Sequence, residues 1–99
     1  MIDFKEKVAQ MIGECTGTDI EELKTYIEIP PDRTMGDYAF PCFKLARTLK
    51  KAPPIIANDI KSNIKLDEEY IEKVEILGGY LNFFINKKNL VLNVLNEVE

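Results

Sequence analysis

The chain has 99 residues, enough for one small domain with a modest core, and its 45% hydrophobic and 30% charged residues are globular rather than disordered in composition. Seventeen acidic against thirteen basic residues give a formal net charge of −4, which argues against a general basic nucleic-acid binder but leaves room for a local basic face. No run is long or apolar enough to span a membrane, and the start, Met1-Ile2-Asp3-Phe4-Lys5, lacks the charged-then-apolar order of a secretory signal.

Phe4, Val8, Met11 and Ile12 recur at helical spacing and predict a helix over 2–14, weakened or ended by Gly13 and Gly17. Thr18 or Asp19 caps a second, short helix of one to two turns that contains Ile20 and Leu23, with Glu21 and Glu22 near its positive end. Tyr26 to Ile29 is β-branched and aromatic and reads as a strand, ended by Pro30-Pro31. The polar Asp32-Arg33-Thr34 then leads to Met35-Gly36-Asp37-Tyr38-Ala39-Phe40-Pro41. In that stretch Gly36 permits a turn, and Pro41 is expected in the first turn of a helix over 42–51. Cys42, Leu45, Ala46 and Leu49 make the apolar stripe of that helix. Lys44, Arg47 and Lys51 share another face, with Lys50 near its edge.

Pro53-Pro54 breaks the chain and Pro54 opens a helix to about residue 63, with Ile56, Ala57, Ile60 and Ile64 inward. After the acidic Leu66-Asp67-Glu68-Glu69, a strand is expected over 73–77 and another over 80–85. Gly78-Gly79 between them is a two-residue hairpin signal. Leu81, Phe83 and Ile85 point to one face of the second strand, and Tyr80, Asn82 and Phe84 to the other. Asn86 can cap a final helix with Leu90, Val91, Val94, Leu95 and Val98 buried, running close to the last residue as at a boundary within a longer protein. The order predicts one α+β domain over 1–99, a small, mainly antiparallel sheet packed against about four helices.

Candidate chemistry is sparse. With no histidine in the chain, the distant Cys15 and Cys42 do not suggest a zinc site and read as reduced, core-lining thiols of a cytosolic protein. No glycine-rich loop has phosphate-cradle spacing, and Ser62 has no base beside it. Asp32 and Asp37 are open to two readings, a carboxylate pair or turn caps. No catalytic residue is assigned.

The exposed-strand pattern points elsewhere. A ring at Tyr80 can stack on an unpaired base and an amide at Asn82 can bond a base edge, which is what reading a loop nucleotide requires. The competing reading covers that face with a helix and bonds Asn82 to a backbone group. Exposure is expected for Tyr80 and cover for Phe84. Lys44, Arg47 and Lys51 can meet backbone phosphates, or form an ordinary solvated face. Lys87 and Lys88 carry the same two readings.

Glu28-Ile29-Pro30-Pro31, Gly36-Asp37-Tyr38-Ala39, Leu45-Ala46, Pro54-Ile55-Ile56-Ala57 and Gly78-Gly79-Tyr80-Leu81-Asn82-Phe83, in that order, resemble the amino-terminal additional domain of arginyl-tRNA synthetases. The resemblance implies one tRNA-recognition domain ahead of a class I catalytic domain, holding the D-loop at the elbow of tRNA(Arg). Tyr80 would then pack on a D-loop nucleotide, Asn82 would hydrogen-bond it, and Phe83 would support the sheet. Gly78 and Gly79 would bring the turn close to the RNA. ATP with Mg2+ would serve the catalytic domain, this chain's partner within the same protein; no cofactor is implied for the chain itself. A cytoplasmic location is expected. The alternative is a protein-interaction domain of the same fold without an RNA role.

Overall fold

The computed structural model describes residues 3–86. Helix α1 (Phe4–Thr16) starts where Asp3 accepts the Glu6 N–H and ends at Gly17, which takes the left-handed conformation. Helix α2 (Ile20–Tyr26) is capped by Asp19, whose carboxylate accepts the Glu22 N–H. Strand β1 (Tyr38–Pro41) follows an extended passage containing a short 3-10 turn at Arg33–Met35. A second 3-10 turn (Cys42–Leu45) runs into α3 (Ala46–Leu49), then come α4 (Pro53–Asn63), β2 (Ile71–Leu77) and β3 (Tyr80–Ile85).

The three strands form one antiparallel sheet in the order β1-β3-β2, packed against the helices as an α+β fold. Register fixes the faces. Phe83 lies between Tyr38 and Val74, and Leu81 between Phe40 and Ile76. These rows join Val8 and Ile12 of α1, Leu23 of α2, Leu45, and Ile56 and Ile60 of α4 in one core. On the opposite face, Asn82 lies between Ala39 and Glu75, and Tyr80 between Pro41 and Leu77.

Two expected elements differ. The strand over 26–29 is reduced to a single bridge between Glu28 and Ala39, because α2 continues to Tyr26 and Pro30-Pro31 offers no N–H to extend a ladder. The sheet's third strand is instead β1, taken from the stretch read as a turn. Pro41 closes that strand rather than opening a helix. The helix expected over 42–51 is a 3-10 turn and one α-helical turn, ended at Lys50 with φ 55. Its start is tied down by Cys42, whose N–H donates to the Gly79 carbonyl at 3.1 Å. The final helix expected to follow an Asn86 cap, with Lys87 and Lys88 near its start, lies outside the described residues.

Candidate nucleic-acid interface

Gly78 and Gly79 both take positive φ, 54° and 84°, the geometry of the tight hairpin turn that matches strand twist. That turn sets Tyr80 and Leu77 side by side at the end of the outer face. Two residues further along the strand sits Asn82, only 2% exposed. The cover over Asn82 is the loop at 30–35 rather than a helix.

The loop is shaped locally. Asp32 accepts from the Thr34 N–H at 2.9 Å and the Thr34 hydroxyl at 2.7 Å, and its carbonyl accepts the Met35 N–H. The Thr34 hydroxyl first, and its N–H second, hold the Asp32 carboxyl below the usual range. The loop is then clamped to β3: the Asp37 N–H donates to the Phe83 carbonyl at 2.8 Å, and the Asp37 carboxylate accepts the Ile85 N–H at 2.9 Å. Both aspartates are therefore engaged in turn and sheet bonds. Gly36, at φ 126°, makes the close approach possible; a Cβ there would stand 3.2 Å from the Phe83 carbonyl oxygen and 3.3 Å from the Asn82 Cβ.

This clamp presents the Met35 carbonyl to Asn82, whose amide nitrogen donates to it. The partner defines the amide's orientation, since a carbonyl facing it requires the nitrogen on that side. The other end, Oδ1, is buried and has no hydrogen-bond partner among the described residues. Such an acceptor costs free energy until something donates to it. Asn82 lines a groove of about 190 Å³ together with Tyr80, Leu77, Ala39, Pro30, Pro31, Met35 and Glu28. The groove thus offers a ring and apolar walls with the Asn82 amide set into them, which suits a flat, partly apolar group.

The other sequence-selected residues fall around this groove unevenly. Gly78 and Gly79 form the turn beside Tyr80. Tyr80 and Phe84 are half-buried, and the Lys73 ammonium lies 4.6 Å from the Phe84 ring. Lys44 is exposed, its Nζ 5.6 Å from the rings of both Tyr26 and Phe43. Arg47 is exposed. Lys51 is drawn away, in a 2.7 Å ion pair with Asp59, and lines a separate hollow with Cys15 and Ile60. Burial pushes the Cys42 thiol up to about 12 and raises Cys15 as well, as expected of unreactive structural thiols.

Pro30, Pro31, Met35 and Leu77 were not singled out as lining residues by the sequence. The Pro-Pro pair gave a signal for a rigid extended segment, but nothing local indicates that it folds over a strand some fifty residues later. Among the described residues no group of histidine, cysteine, aspartate and glutamate could hold a metal ion, and no helix is long and apolar enough to cross a membrane.

Comparison with known proteins gives one answer. The family model described as the arginyl tRNA synthetase N terminal domain matches residues 3–85. An arginine–tRNA ligase of Alkaliphilus metalliredigens (strain QYMF) is 46% identical over 99 residues, 99% of this chain and 17% of that protein. An arginine–tRNA ligase of Clostridium botulinum (strain Hall) is 47% identical over 97 residues, 98% of this chain and 17% of that protein. Among solved structures, the Thermus thermophilus arginyl-tRNA synthetase superposes with a TM-score of 0.73 at 28% identity, covering 94% of this chain and 16% of that one. The chain therefore spans about a sixth of the length of these relatives, and along almost all of its own length it belongs to the arginyl-tRNA synthetase N-terminal domain family.

Proposed function

We propose that this chain is the tRNA-positioning domain of an arginine–tRNA ligase, and that its groove takes an unpaired nucleotide from the D-loop of tRNA(Arg). The observation that carries the reading is the buried Oδ1 of Asn82, without a hydrogen-bond partner among the described residues, on a side chain that lines the same groove as Tyr80. In this reading the Tyr80 ring stacks on the base and Asn82 Oδ1 accepts a hydrogen bond from an N–H on the base edge. Asn82 offers the base its oxygen, since one of its two amide N–H groups is committed to the Met35 carbonyl. The Gly78-Gly79 turn leaves room for close approach of the RNA backbone. Lys44 and Arg47 neutralise phosphates and position the loop without reading it. Lys51 joins them only by releasing Asp59.

Arginine, ATP and Mg2+ are handled in this reading by a class I catalytic domain elsewhere in the same protein, in the cytoplasm. This chain supplies orientation: binding energy gathered at the elbow of the tRNA is used to place its far end.

The test is aminoacylation by the full-length protein, wild type against a Tyr80→Ala/Asn82→Ala double variant shown to be folded by circular dichroism. The kcat/KM for tRNA(Arg) is expected to fall roughly 10- to 100-fold, as loss of one stacked base and one hydrogen bond implies, with the KM values for arginine and ATP unchanged. A tRNA(Arg) with a rebuilt D-loop should be used poorly by the wild type and discriminated far less by the variant. Equal use of both tRNAs by the wild type would refute the reading.

A further inference from the structure

Phe43 is a large aromatic side chain left 49% exposed, beside the groove but not part of it. It falls off the apolar stripe of Cys42, Leu45, Ala46 and Leu49, so core packing does not account for it. Its ring meets that of Tyr80 edge-on, with centroids 6.2 Å apart and planes at 78°. The position is fixed from below by the Cys42 N–H, which donates to the Gly79 carbonyl and holds this turn against the hairpin. Lys44, the next residue, places its ammonium 5.6 Å from the Phe43 ring and has no ion-pair partner among the described residues. In an acidic chain, the segment 42–51 carries Lys44, Arg47, Lys50 and Lys51 and no acidic residue.

We propose that Phe43 and Lys44 form a second nucleotide subsite adjoining the groove: Phe43 stacks on an unpaired base next to the one held by Tyr80 and Asn82, and Lys44 pairs with the phosphate between them. The proposal rests on the reading of the groove given above. Near-perpendicular rings cannot be covered by one flat base or by a continuous base stack. They suit two successive bases splayed apart, the form in which single-stranded loops are recognised. The unpaired ammonium beside the ring favours a phosphodiester over an apolar protein surface, against which that charge would be desolvated without a partner. Tyr80 is the shared wall between the two subsites.

The test is the affinity of the full-length protein for cognate tRNA(Arg) transcript, read by fluorescence anisotropy over a salt series. Phe43→Ala and Phe43→Leu should each weaken binding about 10-fold, and Phe43→Trp should hold it, as expected for a stacking ring. Lys44→Gln should make the dependence of log K on log salt shallower by somewhat less than one unit. A Leu variant binding as tightly as wild type would refute stacking. Phe43→Ala at wild-type affinity while Tyr80→Ala is weakened would remove the second subsite and leave the groove standing; wild-type affinity in both would remove the groove reading too. With p-benzoylphenylalanine at position 43, cross-linking to the D-loop supports the subsite. Cross-linking solely within the protein overturns it in favour of a protein contact.

Discussion

Asn82 shows how one side chain can be structural at one end and unfinished at the other. Its nitrogen ties β3 to the Met35 carbonyl, while its oxygen has been taken out of water without gaining a bond among the described residues. Asn82→Ala therefore removes one hydrogen bond and one orphaned acceptor together, and the two effects offset. The expected loss in unfolding free energy is about 1 kcal/mol or less, against a clear loss in tRNA use. Urea unfolding beside aminoacylation checks this; a large stability loss with unchanged tRNA kinetics would make Asn82 purely structural. Cys42 lends itself to a pH prediction. The folded chain holds its thiol proton to about 12, whereas the ordinary value for an unburied thiol is 9.0. The unfolded state therefore releases that proton first as pH rises. Its contribution to stability is level below about pH 9 and declines between there and about 12. Iodoacetamide on the native chain at pH 8 should leave Cys42 unmodified, and denaturant should expose it to reaction.

The elements divide by how far their determinants lie along the chain. Helices α1 and α4 and the β2–β3 hairpin were legible because a periodic apolar face, a proline at a helix start and a Gly-Gly turn are local signals. Strand β1 was not: its four residues, Tyr38–Pro41, are too few to show a period, and its partners on β3 lie 39 to 45 residues further along the chain. The strand expected at 26–29 failed for the converse reason, its β-branched composition losing to the Asp19 cap on one side and Pro30-Pro31 on the other. The site followed the same division. Tyr80 and Asn82 were visible as alternate positions after the turn, but the loop that closes over Asn82 was not, since the Met35–Asn82 bond joins residues 47 apart in sequence. Gly36 is where loop and strand depend on each other. Gly36→Ala puts a methyl group into contact with β3 at a φ of 126°, which side chains avoid, and should destabilise the chain by roughly 1–3 kcal/mol. Because the Met35 carbonyl moves with the loop, KM for tRNA should rise although the added methyl group would itself touch no RNA. Thermal unfolding and tRNA kinetics on the same preparation check both parts.

At the scale of the whole molecule the sheet separates two tasks. Its inner rows, Tyr38–Phe83–Val74 and Phe40–Leu81–Ile76, are welded to the helices, and its outer rows, Ala39–Asn82–Glu75 and Pro41–Tyr80–Leu77, carry the groove. The exposed ion pairs add little to either; Lys24 near Asp3, Glu6 and Glu21 at 3.7–4.0 Å is a surface cluster of the kind that contributes a few tenths of a kcal/mol per pair. Stability therefore resides in the inner layer. Leu45→Ala and Ile60→Ala, at fully or almost fully buried positions, should each cost about 2–4 kcal/mol through lost burial and an unfilled cavity. If the layers are separable, both variants should bind tRNA(Arg) with wild-type affinity at temperatures where they remain folded, while Tyr80→Ala shows the reverse pattern of weakened binding at near-normal stability. A Leu45→Ala protein that is fully folded at the assay temperature yet weakened for tRNA would mean that the turn bearing Phe43 and Lys44 shifts with the core beneath it, and that the two layers act as one.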